Sequence, residues 1–549
     1  MIDCYSASIS SKIYSLSNSL MVKYEQTMIK KYLLLLLTDI TVLLLGVLLA
    51  FSFAPYEIFP FAIIAEAGLL ALWLRVSAKR AFWQGFLFGL GLFGAGVYWV
   101  FHSIHFFGGV PTLPASAITS LFIAVLALFP ASCGYLLNRY FPTETHTKMV
   151  CAFPAIWVFS ESMRGILFTG FPWLLVGYSQ THSPLKGFAP LLSVYGVSLA
   201  ALVSSGLIVS TLKKLKRKNY SSAYFGLFIL TFIWIGGGLL SLISWTHTTG
   251  KPISVSLVQG DIPQELKWSP EHLSLSFERY IELTQPLWKK DNFIIWPEAA
   301  LPIPLQDTKD FIDLLDQKAK ESGAHLILGI PVQAQNDRYY NAIITLGQEN
   351  QFYLKRHLVP FGEYTPSSPI LAPLIKQMNI PMSDMTPGRL NQSVFTVGHV
   401  KILPAICYEI AFPDLMFETD GQIGFLLTVT NDSWFGESSA KAQHLQMAEM
   451  RALEFKRPLL FVGNDGITAI ISPQGEIEAI APQNKPFVLN GSIQPMNGTT
   501  PWMRHGTDPI LMILIVFLLK SVFEKRALLK KSALKNKSLQ ATPSVASSE

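Results

Sequence analysis

The sequence predicts a polytopic α-helical membrane domain joined to one α/β layered domain. Three observations predict it: long apolar stretches, an uneven spread of charge, and a change of hydrophobic period near residue 250. Half of the 549 residues are hydrophobic, 15% are charged and mean hydropathy is +0.36, whereas soluble domains carry roughly 25% charged residues. Between residues 249 and 500, 19 Lys and Arg stand against 27 Asp and Glu; the rest of the chain holds 24 basic and 10 acidic residues. An acidic globular domain is therefore set in a basic, apolar frame. The composition excludes disorder, and four cysteines (Cys4, Cys133, Cys151 and Cys407) are too few for a disulfide scaffold.

A membrane span needs about 20 mostly apolar residues. Seven stretches before residue 249 qualify: 33–53, 58–74, 81–101, 115–137, 150–168, 188–212 and 221–245. An eighth, Ile510 to Phe523, is short and contains Lys520. It reads as a span or as an interfacial helix with a snorkelling lysine, and the anchor-like tail behind it favours the span. About eight transmembrane helices are thus expected. The expected domains are a polar extension (1–31), a seven-helix membrane domain (32–248), the globular domain (249–500), and a last helix with a basic tail (501–549). The first 30 residues lack the apolar core of a signal peptide, and Met21 and Met28 are alternative starts.

Basic residues set the orientation. Arg75, Lys79 and Arg80 follow the second stretch, Arg139 and Lys148 the fourth, and Lys213, Lys214, Lys216, Arg217 and Lys218 the sixth. The tail adds Lys525, Arg526, Lys530, Lys531, Lys535 and Lys537, whereas segments 54–57 and 102–114 carry no Lys or Arg. Both termini are therefore expected in the cytoplasm and the 249–500 domain outside it. The 213–218 run reads as a topology signal rather than a nucleic-acid patch. Glu161 and Arg164, one helical turn apart, can pair with each other or meet a lipid headgroup. Asp39 and Glu66 have no evident partner.

From residue 252 short β-rich runs alternate with helical stretches, the pattern of an α/β layered fold. Strands are expected at Ile253–Val258, Phe293–Trp296, Leu326–Ile330, Ala342–Leu346, Ile402–Ile406, Phe425–Val429 and Leu459–Val462, and helices at 270–287, 308–322 and 439–455. A hairpin is expected across 466–480. Three strand ends present a reactive side chain, where α/β folds place their chemistry. They are Trp296-Pro297-Glu298, the Lys355-to-Tyr364 stretch with Val359-Pro360-Phe361-Gly362-Glu363, and Cys407-Tyr408-Glu409. Taken singly, each has a structural alternative: a helix-capping Glu, a solvated Lys, an inert core Cys.

Together and in this order, they resemble the nitrilase superfamily, whose triad is Glu, Lys and Cys. With seven preceding spans and one following, the chain resembles the apolipoprotein N-acyltransferases, inner-membrane enzymes that add the third acyl chain to bacterial lipoproteins. Val258–Gln264, Leu266-Lys267-Trp268, Thr169–Trp173 and Asn431–Gly436 match further. The resemblance implies a nitrilase-like α-β-β-α sandwich with Glu298 as general base, Lys355 at the oxyanion and Cys407 as nucleophile. It also implies that Glu363 assists the triad, that Tyr408 and Glu409 support the thiol, that Trp268 rides a mobile loop, and that Asn341 matches a site asparagine. The implied donor is a phospholipid such as phosphatidylethanolamine, and the implied acceptor a diacylglyceryl-apolipoprotein. No cofactor, metal or nucleic acid is called for. The setting is a multi-pass protein of the inner membrane, with its catalytic domain in the periplasm. A membrane-anchored amidohydrolase is the alternative, since the triad alone does not choose between water and amine.

The charge pattern is tested with a reporter active only in the periplasm. Fused after Gly250 it should be active, and after Lys537 silent. The reverse pattern refutes the topology, and activity at both sites means that the last helix does not span.

Overall fold

The computed structural model describes residues 2–540 apart from 142, 335–337, 365–384 and 393, with side chains described from 26 to 534 except 532. Cys4, Lys535 and Lys537 lie outside the described side chains. Seven α-helices of twelve residues or more occupy the seven apolar stretches: Ile2–Ala50, Pro60–Trp73, Ala78–Gly96, Thr112–Tyr140, Phe153–Arg164, Ala189–Lys216 and Tyr220–Ser241. Among the described residues, four helical segments are long and apolar enough to cross a bilayer, or five if Ala78–Gly96 and Trp99–Phe107, bent by 56°, form one span. This differs from the eight expected. Pro60–Trp73 and Phe153–Arg164 have 14 and 12 residues, and the helix Asp508–Gln540 turns basic and polar along its length. Its first turns still pack inward, with Ile510 and Leu514 buried in the membrane-domain core. Small residues allow the helices to meet closely. At Gly46 a Cβ would lie 2.0 Å from the Phe88 carbonyl oxygen, so only glycine fits that crossing.

Two expectations about intramembrane charge are corrected. Asp39 has a partner, since Arg80 Nη2 lies 2.5 Å from its Oδ1. Glu161 and Arg164 make no ion pair among the described contacts and instead grip one loop from two sides. Arg164 donates to the carbonyls of Phe171 (3.2 Å) and Trp173, and Glu161 Oε1 accepts from Val176 N (2.8 Å). The loop 170–176 has few backbone partners of its own, so these side chains satisfy it.

The second half is a four-layer sandwich. One sheet runs in the order Phe487–Ile493, Ile253–Gln259, Asn292–Ile295, His325–Ala334, Arg338–Leu346, Phe352–Leu354. The other runs Ile477–Ile480, Ala469–Ile471, Leu459–Gly463, Ile423–Thr430, Val400–Ile406, Phe395–Val397. Each has three central parallel strands flanked by antiparallel ones. The inner faces meet through Val255, Leu257, Phe293 and Ile295 against Ile402, Ile406, Phe425 and Leu427. Strands buried on both faces read as continuous apolar runs, which is why the sequence exposes them. Helices Leu273–Thr284 and Lys309–Ser322 cover the outer face of the first sheet, and Ala440–Phe455 that of the second.

Helix Ala440–Phe455 does two jobs. Leu445, Ala448, Ala452 and Phe455 face the sheet, while Met447, Met450 and Leu453 join the membrane-domain core. Several of its polar residues, enclosed between the two, find partners across the boundary. Gln443 Oε1 accepts from Trp173 Nε1 (2.6 Å), Gln446 Oε1 from Ala54 N (3.2 Å), and Glu454 Oε1 from Ser193 Oγ (2.6 Å) and Val194 N (2.8 Å). Arg451 pairs with Glu454 at 2.8 Å, both side chains fully buried.

Glu454→Leu leaves the Arg451 guanidinium buried without its carboxylate. Breaking such a pair costs about 3–5 kcal/mol. The variant should melt many degrees lower in detergent, and an unchanged melting curve would show that the pair does not hold the two domains together.

Candidate active site

Each of the three reactive side chains follows the end of a strand. Asn292–Ile295 stops at Trp296-Pro297, since proline has no N–H to extend a ladder, and Glu298 follows, 7% exposed. The neighbouring strand makes room for it with Gly329, where a Cβ would lie 2.7 Å from Glu298 Cα. Lys355 directly follows Phe352–Leu354, and its N–H still donates to Asn341 O (2.8 Å). Cys407 directly follows Val400–Ile406, opens a short 3₁₀ turn and has φ +51°. That left-handed conformation is costly for a non-glycine residue and is retained where the surroundings enforce it.

The structure brings these residues together around one ammonium. Lys355 Nζ lies 3.1 Å from Glu298 Oε1 and 2.8 Å from Glu363 Oε1, with the lysine side chain 1% exposed. Asn341 Nδ2 donates to the same two oxygens, at 2.7 and 3.1 Å. Asn431 N donates to Glu298 Oε2 (2.9 Å), and Val359 N to Glu363 Oε2 (2.8 Å). Burial alone would lower the Lys355 pKa, but Glu298, Glu363 and Cys407 outweigh it and hold it well above the usual lysine value. The Cys407 thiol moves in the same direction: burial first, then Glu298, push it well above the usual thiol value, against the pull of Lys355. Burial and the Glu298 carboxylate therefore both favour the protonated form of this thiol.

The supporting residues tie segments together. Glu409 Oε1 accepts from the N–H groups of Arg356 (2.6 Å) and His357 (3.2 Å), and Oε2 from Ile406 N (2.7 Å) and Tyr353 Oη (2.8 Å). It thereby fastens the cysteine's turn to the lysine's segment. Tyr408 turns the other way and donates to Gly170 O (3.0 Å) in the membrane-domain loop. Neither has a described hydrogen bond to the thiol. Trp268 caps the short helix Gln264–Lys267 and is half-buried.

Three contributors escaped the sequence reading as site residues. The Asn431 backbone contact depends on strand register. Lys267 is fully buried and donates to Glu298 O (3.1 Å), with burial lowering its pKa to about 8. His444 lies under Cys407, its Nε2 3.1 Å from the Cys407 carbonyl oxygen. Cys407, Asp432 and His444 offer ligand atoms within 4.8 Å of one another, as do Glu57, His182 and Glu449. In the first group both ring nitrogens already face oxygens. In the second, His182 Nε2 faces Glu57 at 3.4 Å and Glu449 at 3.3 Å, an ion-paired bridge between the domains.

Residues 45–207 match the family model described as apolipoprotein N-acyltransferase N-terminal domain, and residues 254–500 match carbon-nitrogen hydrolase. The apolipoprotein N-acyltransferase of Coxiella burnetii is 44% identical over 487 residues, covering 88% of this chain and 99% of that protein. That of Methylococcus capsulatus is 40% identical over 468 residues, covering 85% and 92%. A solved CN-hydrolase superfamily protein from Xanthomonas campestris is 18% identical, covers 45% of this chain and 91% of its own, and has a TM-score of 0.35.

Lys355→Arg keeps the charge but replaces a compact ammonium with a planar fork in an enclosed site. Losing one oxyanion donor costs about 10²–10³ in rate, or about 3–4 kcal/mol. Acyl-enzyme formation, followed by intact mass, should fall by that factor, while Arg356→Lys should retain most of the rate. A Lys355→Arg rate within about threefold of wild type, worth only ~0.65 kcal/mol, would remove the lysine from the chemistry.

Proposed function

The chain belongs to the apolipoprotein N-acyltransferase family, and from that premise we propose that it transfers a fatty acyl chain from a phospholipid to an apolipoprotein. The acyl group travels on Cys407 as a thioester. The donor is phosphatidylethanolamine, and the acceptor is the α-amino group of an N-terminal diacylglyceryl-cysteine. The observation that carries this reading is the position of the cysteine's turn. Glu409 on that turn is bound to the lysine's segment, and Tyr408 to a loop of the membrane domain. A long acyl chain costs about 0.8 kcal/mol per CH₂ to bring into water, so a membrane-resident donor calls for a nucleophile at the membrane boundary.

In the first step Glu298 takes the thiol proton and Cys407 Sγ attacks the ester carbonyl. Lys355 stabilises the oxyanion of the tetrahedral intermediate. The carbon–oxygen bond breaks, and the lysophospholipid leaves with the proton from Glu298. In the second step the acceptor amine attacks the thioester carbonyl and gives its proton to Glu298. The carbon–sulfur bond then breaks, the amide is complete, and the proton returns to Cys407. Splitting the transfer in this way replaces one difficult step with two easier ones. Glu363 and Asn341 hold Lys355 and Glu298 in register, Tyr408 and Glu409 fix the turn, and Trp268 meets the lipid at the mouth.

The proposed setting is the bacterial inner membrane. Residues 249–500 form the periplasmic catalytic domain, and both termini lie in the cytoplasm after eight crossings, the short and bent helices included. Residues 1–31 form the polar extension, 32–248 the seven-helix domain, and 501–549 the final helix and basic tail.

Intact mass after incubation with phosphatidylethanolamine separates the transferase from a hydrolase. A stable adduct of one acyl group on Cys407, discharged by an apolipoprotein, supports the transferase, and rapid turnover to free fatty acid supports the hydrolase. Cys407→Ala should abolish the adduct, while Ala at Cys4, Cys133 and Cys151 should not; an adduct mapped elsewhere overturns the assignment.

A further inference from the structure

The polar cluster beneath the nucleophile serves none of the roles above. His444 is fully buried, with Nε2 3.1 Å from the Cys407 carbonyl oxygen and Nδ1 3.0 Å from Asp432 Oδ1. A carbonyl oxygen only accepts, so Nε2 carries a hydrogen. Asp432 Oδ1 also accepts from Thr430 Oγ1 (2.6 Å), so this carboxylate acts as an acceptor and Nδ1 carries the second hydrogen. The ring is an imidazolium. Trp173 stacks on it at 6.0 Å and 27°, and Phe435 and Phe461 meet it edge-on. The ionisable groups that face it are Asp432, Glu298 and the thiol of Cys407. Burial works against the charge, but Asp432, the Cys407 carbonyl and Glu298 together raise the ring above the usual histidine value.

Cys407 needs such a partner. Its φ of +51° costs about 1–3 kcal/mol, and the strand's ladder ends at Ile406. The turn beyond is gripped through side chains, with Glu409 holding Ile406 N on one side of the thiol. Within its 3₁₀ turn the Cys407 carbonyl faces the N–H of Ile410, and His444 adds the one described side-chain hydrogen bond to it. Thr430, whose hydroxyl also reaches the thiol, closes a loop of contacts through Asp432 and His444 back to Cys407.

We propose that His444, oriented by Asp432, is a positioning residue that clamps the Cys407 carbonyl and keeps the nucleophile's turn in the left-handed conformation that presents the thiol to Glu298 and Lys355. The proposal rests on Cys407 being the acylated residue. Without the clamp the turn relaxes and the thiol leaves its attack position, and a displacement of about 1 Å costs roughly 10²-fold in rate.

Two substitutions in the full-length enzyme separate the clamp from packing. In H444Q the amide nitrogen takes the place of Nε2 and keeps the carbonyl contact. In H444N it takes the place of Nδ1, keeps Asp432 and loses the carbonyl. Both remove the ring's positive charge and leave Asp432 beside the thiol, so the pH midpoint of Cys407 alkylation by iodoacetamide should rise by about one unit in each. At a pH where each thiolate has saturated, adduct formation from phosphatidylethanolamine should lie within about threefold of wild type in H444Q. In H444N it should fall about a hundredfold, with both melting within a few degrees of wild type. A wild-type limiting rate in H444N overturns the clamp, as do rates in both variants that fall in step with melting temperature. If H444N does not fold, H444Q decides alone. A raised midpoint with a near-wild-type limiting rate supports the proposal, and an unshifted midpoint or a slow limiting rate overturns it. A wild-type adduct mapped away from Cys407 would instead overturn the thioester reading beneath it.

Discussion

Lys355 carries a full positive charge on a side chain that is 1% exposed, and the catalytic half of the molecule is arranged around that fact. Moving such an ion out of water costs several kcal/mol even after relaxation. Glu298 and Glu363 compensate, but two carboxylates exceed one ammonium and need donors of their own. Those donors come from separate segments: Asn341 within a strand of the first sheet, Val359 beyond the lysine, and Asn431 N at the end of a strand in the second sheet. One buried cation therefore fixes the register of both sheets where their strand ends meet. The excess negative charge has a chemical result as well. Together with burial it pushes the Cys407 thiol well above the usual thiol value, against the pull of Lys355.

The second constraint is the substrate's aversion to water. A sandwich with both outer faces covered by helices needs no membrane, and here one covering helix is shared. Ala440–Phe455 is apolar toward its sheet and toward the helical domain, and its polar residues are matched by Trp173, Ala54, Ser193 and Val194 across the boundary. Interfaces built this way give orientation more than raw stability, since each buried polar group is satisfied in one geometry only.

Much of this was legible in the sequence because it rests on period and on strand ends. Buried parallel strands announce themselves as apolar runs, and Pro297 and the Gly362-Glu363 turn mark where Glu298 and Lys355 emerge. The layered sandwich and the helices at 308–322 and 439–455 follow from the same patterning. What stayed hidden depends on contacts between segments distant in sequence. Asp39 and Arg80 are 41 residues apart and meet because the first and third helices cross at Gly46. Glu161 and Arg164 have the spacing of a helical pair, yet the loop between Gly170 and Val176 competes for both and wins, because its backbone has few other partners. The lengths of the shorter apolar helices were hidden for a related reason. Hydropathy registers that a segment is apolar, but not where its helix starts and stops: Pro60–Trp73 and Phe153–Arg164 run for 14 and 12 residues. Nothing in the sequence sets the polar residues of 440–455 apart from an ordinary solvated face, and only the fold reveals that a second domain covers them. His444 was concealed in that face.

The nucleophile's turn is therefore defined from three directions. Glu409 ties it to the lysine's segment, Tyr408 ties it to the loop that Glu161 and Arg164 brace, and His444 holds the carbonyl of the cysteine between them. Two of these ties lie within the catalytic domain and one crosses to the membrane domain. The conformation of Cys407 thus depends on a loop that borders Ile166, Leu167 and Phe168, exposed apolar side chains of which Phe168 is 88% exposed. Large apolar groups exposed beside a polar loop are stable where lipid can cover them. The same loop meets Tyr408 through the Gly170 carbonyl, one residue from the thiol.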